Sequence, residues 1–112
     1  MNKLALFGLV AILGCGSAYA GNPDAGKEKS RTCAACHGAD GNSATADFPK
    51  LAGQYYDYLV KAMNDYKSGK RKNPIMGPQA APLSQRDMED LAAYFSSQQG
   101  LVTRKNSYLV KH

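Results

Sequence analysis

The sequence predicts a small all-α domain of three main helices, and three observations lead there. Two stretches repeat apolar residues at helical spacing, and each is followed by a glycine stop. The segments between them are dense in Gly, Pro, Asn, Asp and Ser, which is loop composition. Nothing resembles a strand except the short apolar run Tyr108-Leu109-Val110. At 112 residues the chain is one domain, too short for a large catalytic scaffold. With 44% hydrophobic residues it is too apolar for intrinsic disorder, and no apolar run is long enough to span a bilayer.

Residues 1–20 read as a leader. Lys3 supplies a positive charge, Leu4 to Leu13 are uncharged, and Ala18-Tyr19-Ala20 is a small-x-small cleavage site before Gly21. Cleavage after Ala20 predicts an exported, periplasmic protein with a domain over 21–100 and a tail, 101–112, that the sequence does not interpret. Ile12-Leu13-Gly14-Cys15 also resembles a lipobox, and processing there would tether the domain to a membrane by acyl chains at Cys15.

The helices follow in order. Asp24 is the expected cap of a first helix from about Ala25 to Cys36. Residues 38–53, with Gly38, Gly41, Pro49 and Gly53, form a loop. From Gln54 to Ser68 a stripe of Tyr55, Leu59, Met63 and Tyr66 makes an amphipathic helix that Gly69 stops. Pro74, Pro78 and Pro82 exclude a regular helix through 70–83. Ser84 caps the last helix with Asp87 three residues on, a weaker capping box, and Met88, Leu91, Ala92 and Phe95 form its inner face. Gly100 is expected to end it.

Chemistry concentrates in the first helix. After cleavage only two cysteines remain, in Cys33-Ala34-Ala35-Cys36-His37. This order is the attachment signature of c-type haem. Thiols at i and i+3 share a helix face and reach the two vinyl groups along one haem edge, and an imidazole at i+4 reaches the iron. A thioredoxin-like pair would want a βαβ context. A zinc site would need two more ligands, and His112 is the one other histidine. A plain disulfide would leave His37 without a role.

One histidine specifies half of an iron site. The available second ligands are His112, Met63, Met76 and Met88. Met63 and Met88 lie on apolar stripes where a packing role explains them. Met76 stands in a proline-rich loop between Pro74 and Pro78, far enough from His37 for the chain to return over the opposite haem face.

Together, Cys33-x-x-Cys36-His37, Phe48-Pro49-x-Leu51-Ala52-Gly53, Ile75-Met76-Gly77 and Leu83-Ser84 before Asp90-Leu91-Ala92-Ala93-Tyr94-Phe95 resemble a class I cytochrome c. The likeness covers nearly all of 23–99 and is nearest to one half of the two-haem bacterial cytochromes of this class. The resemblance implies the class I cytochrome c fold, three main helices wrapped around one covalently bound haem c, with His37 and Met76 as axial ligands. It also implies that the Pro49 carbonyl accepts the second ring N–H of His37. Gly26 and Tyr94 match the positions where the first and last helices cross, and Ser30 stands where a bulkier apolar residue is expected.

His/Met ligation closes the iron to substrates, so the expectation is an electron-transfer protein and not an enzyme. Its partners would be a quinol-oxidising complex or dehydrogenase as donor and an oxidase or reductase as acceptor. Lys67, Lys70, Arg71 and Lys72 are either a docking patch for an acidic partner or cations complementing a helix C-terminus. Nucleic acid is not expected, and membrane contact comes through partners unless Cys15 is lipidated. Two other readings stand beside this one: a haem sensor or enzyme with a labile Met76, and a tethered haem subunit of a respiratory complex.

Overall fold

The computed structural model describes residue 8 and residues 20–101; the leader, Cys15, the 102–112 part of the tail and His112 lie outside the described residues. Five helices follow in chain order: α1 (Pro23–Lys29), α2 (Arg31–His37), α3 (Tyr56–Ser68), α4 (Met76–Ala80) and α5 (Gln85–Ser96). There is no strand among the described residues. As elements, α1 and α3 both pack on α5, α4 packs on α3, and α2 packs on α1.

The predicted first helix is two helices. Asn22 caps α1, its side chain accepting from the N–H groups of Asp24 and Ala25, so the cap lies two residues before the expected Asp24. Both residues suit a cap chemically. Pro23 decides between them, because proline at the first helical position needs no donor. The break falls at Ser30. Its hydroxyl donates to the Lys27 carbonyl at 2.7 Å, and the residue is buried. A small polar side chain turned back onto its own helix explains why no bulky apolar group stands there.

The α1–α5 crossing is as close as Gly26 predicts. A Cβ on Gly26 would lie 1.9 Å from the Asp90 carbonyl oxygen and 2.8 Å from Tyr94 Cβ. Around it, Asp90 is buried, accepting from the Asn22 N–H at 2.8 Å and from Lys29 Nζ at 2.6 Å. Lys29 also pairs with Asp87 at 2.9 Å.

In α3 the stripe holds at Leu59 and Met63 but not at its start. Tyr55 precedes the helix and is 62% exposed, while Tyr56 packs against the core. Gly69 ends α3 in the left-handed conformation, as expected. The proline-rich segment does contain one helical turn, α4. Pro78 is its third residue, where an amide would have no partner within the helix, so proline costs no hydrogen bond there. The Ser84–Asp87 capping box forms in both directions.

Helix α5 ends at Ser96, short of Gly100. Gly100 serves a close approach: a Cβ there would meet the Ala52 side chain at 2.6 Å. The core is mainly α5, buried all round over its C-terminal half, with Met88, Leu91, Ala92, Ala93, Tyr94 and Phe95 covered.

Candidate functional site

Helix α2 carries Cys33, Cys36 and His37 on little more than one turn. Both cysteines are free thiols and half-buried. Burial pushes the Cys33 thiol up, and the neighbouring Thr32 hydroxyl offsets this in part. A redox dithiol needs the opposite, a depressed pKa that exposes thiolate. The microenvironment of Cys33 does not favour the thiolate that a redox nucleophile needs.

His37 is buried at the C-terminal end of α2. The chain leaves through Gly38 at φ 84°, a conformation that glycine adopts without strain. The loop that follows is tied at several points. The Gly41 carbonyl accepts from the N–H groups of Leu51 (2.8 Å) and Ala52 (3.2 Å), and Ser43 Oγ donates to the Phe48 carbonyl at 2.6 Å. Tyr94 Oη, from the middle of the core, donates to the Ala39 carbonyl at 2.9 Å. Asn42 Nδ2 reaches the Gln99 carbonyl at 2.8 Å.

These ties bring the Pro49 carbonyl 2.8 Å from His37 Nδ1. A carbonyl only accepts, so Nδ1 is the donor, and Nε2 is the ring nitrogen left for a metal. Phe48 stands edge-on to the imidazole, ring centres 6.4 Å apart, and limits its rotation. The result is an imidazole of fixed orientation with Nε2 turned away from the Pro49 bond.

Met76 opens α4, half-buried, with its N–H held by Asn73 Oδ1 at 2.9 Å. As helices, α4 packs on α3 and α2 on α1, with Cys33 of α2 also against the core cluster, and α2 and α4, which bear His37 and Met76, do not pack on each other. Met63 is half-buried against the core cluster and Met88 is fully buried on α5, the packing roles their spacing predicts. His112 lies outside the described residues.

The residues fit a haem. Thiols, a neutral imidazole and a thioether are its usual protein partners. The protein's own core is thin, four of the nine buried apolar residues being alanine among the described residues. Leu51, Val60, Met63 and Leu83 are only partly covered, leaving apolar surface that a large planar ring would cover.

Of the basic cluster, two members have other engagements. Lys67 Nζ donates to the Leu83 carbonyl. Arg71 donates to Tyr58 Oη at 3.3 Å and lies 4.8 Å over the Tyr66 ring. That double clasp across α3 was not readable from the sequence, where Arg71 is one more cation in a run. Lys70 and Lys72 are exposed.

A family model for cytochrome c matches residues 23–99. Cytochrome c4 of Pseudomonas aeruginosa is 47% identical over 98% of this chain and 55% of its own length. Cytochrome c-554(548) of Halomonas halodenitrificans is 43% identical over 71% of this chain and the whole of its own length. Reduced recombinant cytochrome c4 from Pseudomonas stutzeri, a crystal structure, superposes with a TM-score of 0.69 at 48% identity, covering 73% of this chain and 48% of that one. The chain thus spans a little over half the length of the curated cytochrome c4 relatives it matches.

Proposed function

The chain belongs to the cytochrome c family, and from that premise we propose that it is a periplasmic one-electron carrier holding one haem c. The observation that carries the reading is the His37–Pro49 bond beside two cysteines on the same helix. Cys33 and Cys36 would hold the group by thioethers, His37 Nε2 and the Met76 sulfur would be the axial ligands, and Pro49 would keep the imidazole in register. When bound, a haem iron supplies reversible one-electron exchange between ferrous and ferric states.

The chain's own residues then set how that exchange runs. Pro49 and Phe48 hold His37 still, which limits rearrangement on oxidation. A Met76 thioether, neutral and a weaker donor to ferric iron than imidazole, favours the reduced state. If His37 and Met76 both held the iron, substrate chemistry at the metal would be suppressed, and the protein would act as a carrier and not as an enzyme or sensor. A relative matched over its whole length supports a one-domain, one-haem protein.

Export with cleavage after Ala20, a domain over 21–100 and a separate tail over 101–112 belong to the same proposal. So do a dehydrogenase or quinol-oxidising donor and an oxidase or reductase acceptor. Among the described residues no helix is long and apolar enough to cross a membrane.

Met76→Ala in the holoprotein is the test. It is expected to open the iron to carbon monoxide and to abolish the weak red absorption band of methionine–ferric ligation. Met63→Ala should keep that band. An unchanged band in Met76→Ala would remove Met76 from the site and return the sixth position to another ligand.

A further inference from the structure

Residues 20–22 precede every helix and have no part in the haem reading, yet each is fastened to α3 or α5. The Ala20 carbonyl accepts from Arg86 at 2.8 Å. Gly21 lies so near α5 that a Cβ on it would stand 2.0 Å from the Glu89 carbonyl oxygen and 3.0 Å from Ala93 Cβ. Its N–H points at the Tyr56 hydroxyl oxygen. The Asn22 N–H donates to the buried Asp90 carboxylate at 2.8 Å. Gly21 and Gly26 therefore touch the successive carbonyls of Glu89 and Asp90, and the chain between them rides along one side of α5.

We propose that this strip is the seat of the mature amino terminus: after cleavage at Ala20 the α-ammonium of Gly21 donates to the Tyr56 hydroxyl beside the Glu89 carboxylate, docking the chain start on α5. The proposal rests on the export reading above. Water, with an export peptidase as catalyst, splits the Ala20–Gly21 peptide bond. The hydroxyl goes to Ala20, leaving with the leader as a carboxylate, and the amine left on Gly21 takes up a proton at neutral pH.

The surroundings favour a cation at that nitrogen. Around the Tyr56 hydroxyl that it meets stand Glu89 and Asp90 of α5 and Asp57 of α3, and around Asp90 stand Arg86 of α5 and Lys29 of α1, the latter paired with Asp87. Lys29 already neutralises Asp87 and Asp90. Glu89 is half-buried, takes a hydrogen bond from Gln85 at 3.1 Å, and enters no ion pair among the described residues. Arg86 is exposed and loses its carbonyl partner on cleavage, so it is free to turn to solvent.

The register is specific. A cut one residue earlier leaves Ala20 as the terminus, beyond Tyr56. A cut one residue later removes the nitrogen that Tyr56 binds. Any side chain at position 21 collides with main chain, which does not yield as a side-chain tip does.

The test uses holoprotein made with its leader in a host that attaches c-type haem. Intact mass and terminal sequencing read the cut, and limited acylation followed by peptide mass spectrometry reads the amine. Gly21 is expected as the first residue, its amine reacting about three- to tenfold more slowly at neutral pH than that of a free Gly-Asn-Pro-Asp peptide, the equivalent of about half to one unit of raised pKa. Glu89→Gln and Tyr56→Phe should each return the rate toward the peptide's with the haem spectrum unchanged, and Lys61→Gln should not. A peptide-like rate in the parent protein, or no response to Glu89→Gln, overturns the seat and leaves export standing. A different first residue overturns the seat together with the cleavage site, while an intact haem spectrum keeps the carrier reading.

Discussion

Where α1 crosses α5, the chain satisfies itself: Gly26 meets the Asp90 carbonyl, Asp90 meets Asn22 and Lys29, and Ser30 bonds back to Lys27. Where α2 and α4 stand, nothing of the kind occurs. As helices each packs on one neighbour and they do not meet, while Cys33, Leu51, Val60, Met63 and Leu83 stay half-covered at the edge of the core cluster. One half is a closed protein interface, and the other is a frame of half-covered side chains. The difference teaches where stability resides: the crossing organises the chain unaided, while on the proposed reading the frame completes its core with the bound group.

Removing the group should separate the two halves most sharply. Cys33→Ser with Cys36→Ser prevents attachment, and the chain is expected to lose essentially all its net stability, on the order of 5–15 kcal/mol for a domain. Far-UV circular dichroism should show most helix gone. Amide exchange would sharpen the contrast if any residual protection sat in α5. A cooperative thermal transition in that variant would break it, by showing that the frame closes unaided.

Gly26→Ala strikes the closed half alone. A methyl 1.9 Å from a main-chain oxygen forces the helices apart, at a cost of about 1–3 kcal/mol or more. Denaturant unfolding of the holoprotein should register it while the visible spectrum stays put. The same substitution at Gly77, where a Cβ meets nothing within 4 Å, should cost less in stability.

Acid should loosen the crossing next. The Ser84 N–H and then Lys29 hold Asp87 down at about 2, and the Asn22 N–H and then Lys29 lower Asp90. A carboxylate with a depressed folded pKa contributes stability above its unfolded value near 3.9, and loses it as pH falls toward the folded one. Stability should therefore decline between about pH 4 and pH 2. Asp87→Asn should flatten that slope in a pH series of denaturant midpoints, and an unchanged slope would mean the crossing is not the acid-sensitive part.

The smallest effect belongs to the surface. With Lys67 and Arg71 engaged elsewhere, Lys70→Glu/Lys72→Glu should leave stability within about 0.5 kcal/mol. It should slow association with an acidic redox partner, most at low salt. Stopped-flow rates that do not depend on this pair at any ionic strength would reduce it to a helix-end cap.

Much of the molecule was legible because its signals are local. The cysteine pair and His37 sit on consecutive turns, the Ser84–Asp87 box spans four residues, and Gly69 marks its own helix end. Other features were hidden because their cause lies far along the chain. Asp90 looks like an ordinary surface acid until Lys29, sixty-one positions away, is brought against it. Gly21 must lack a side chain only because Glu89 is there. Tyr55 and Tyr56 are interchangeable by periodicity, and the start of α3 chose between them. The helical turn at Met76 was obscured by counting prolines without asking whether Pro78 fell where an amide is needed. At the site, the loop tie through Tyr94 and Ala39 and the Arg71 clasp are likewise tertiary.

The partner of His37 is a peptide oxygen, and that choice has a genetic and a chemical side. A carboxylate in its place would be one codon away from loss and would itself titrate. A peptide oxygen has no codon of its own: every residue that replaces Pro49 still carries it, and it stays unprotonated across the whole working range of pH. Disturbing the imidazole therefore requires displacing the loop's trajectory, through Gly41, Ser43 or Tyr94, none of which contacts the ring by hydrogen bond. Random mutagenesis screened for altered haem ligation should accordingly return hits at those remote anchors more readily than at position 49.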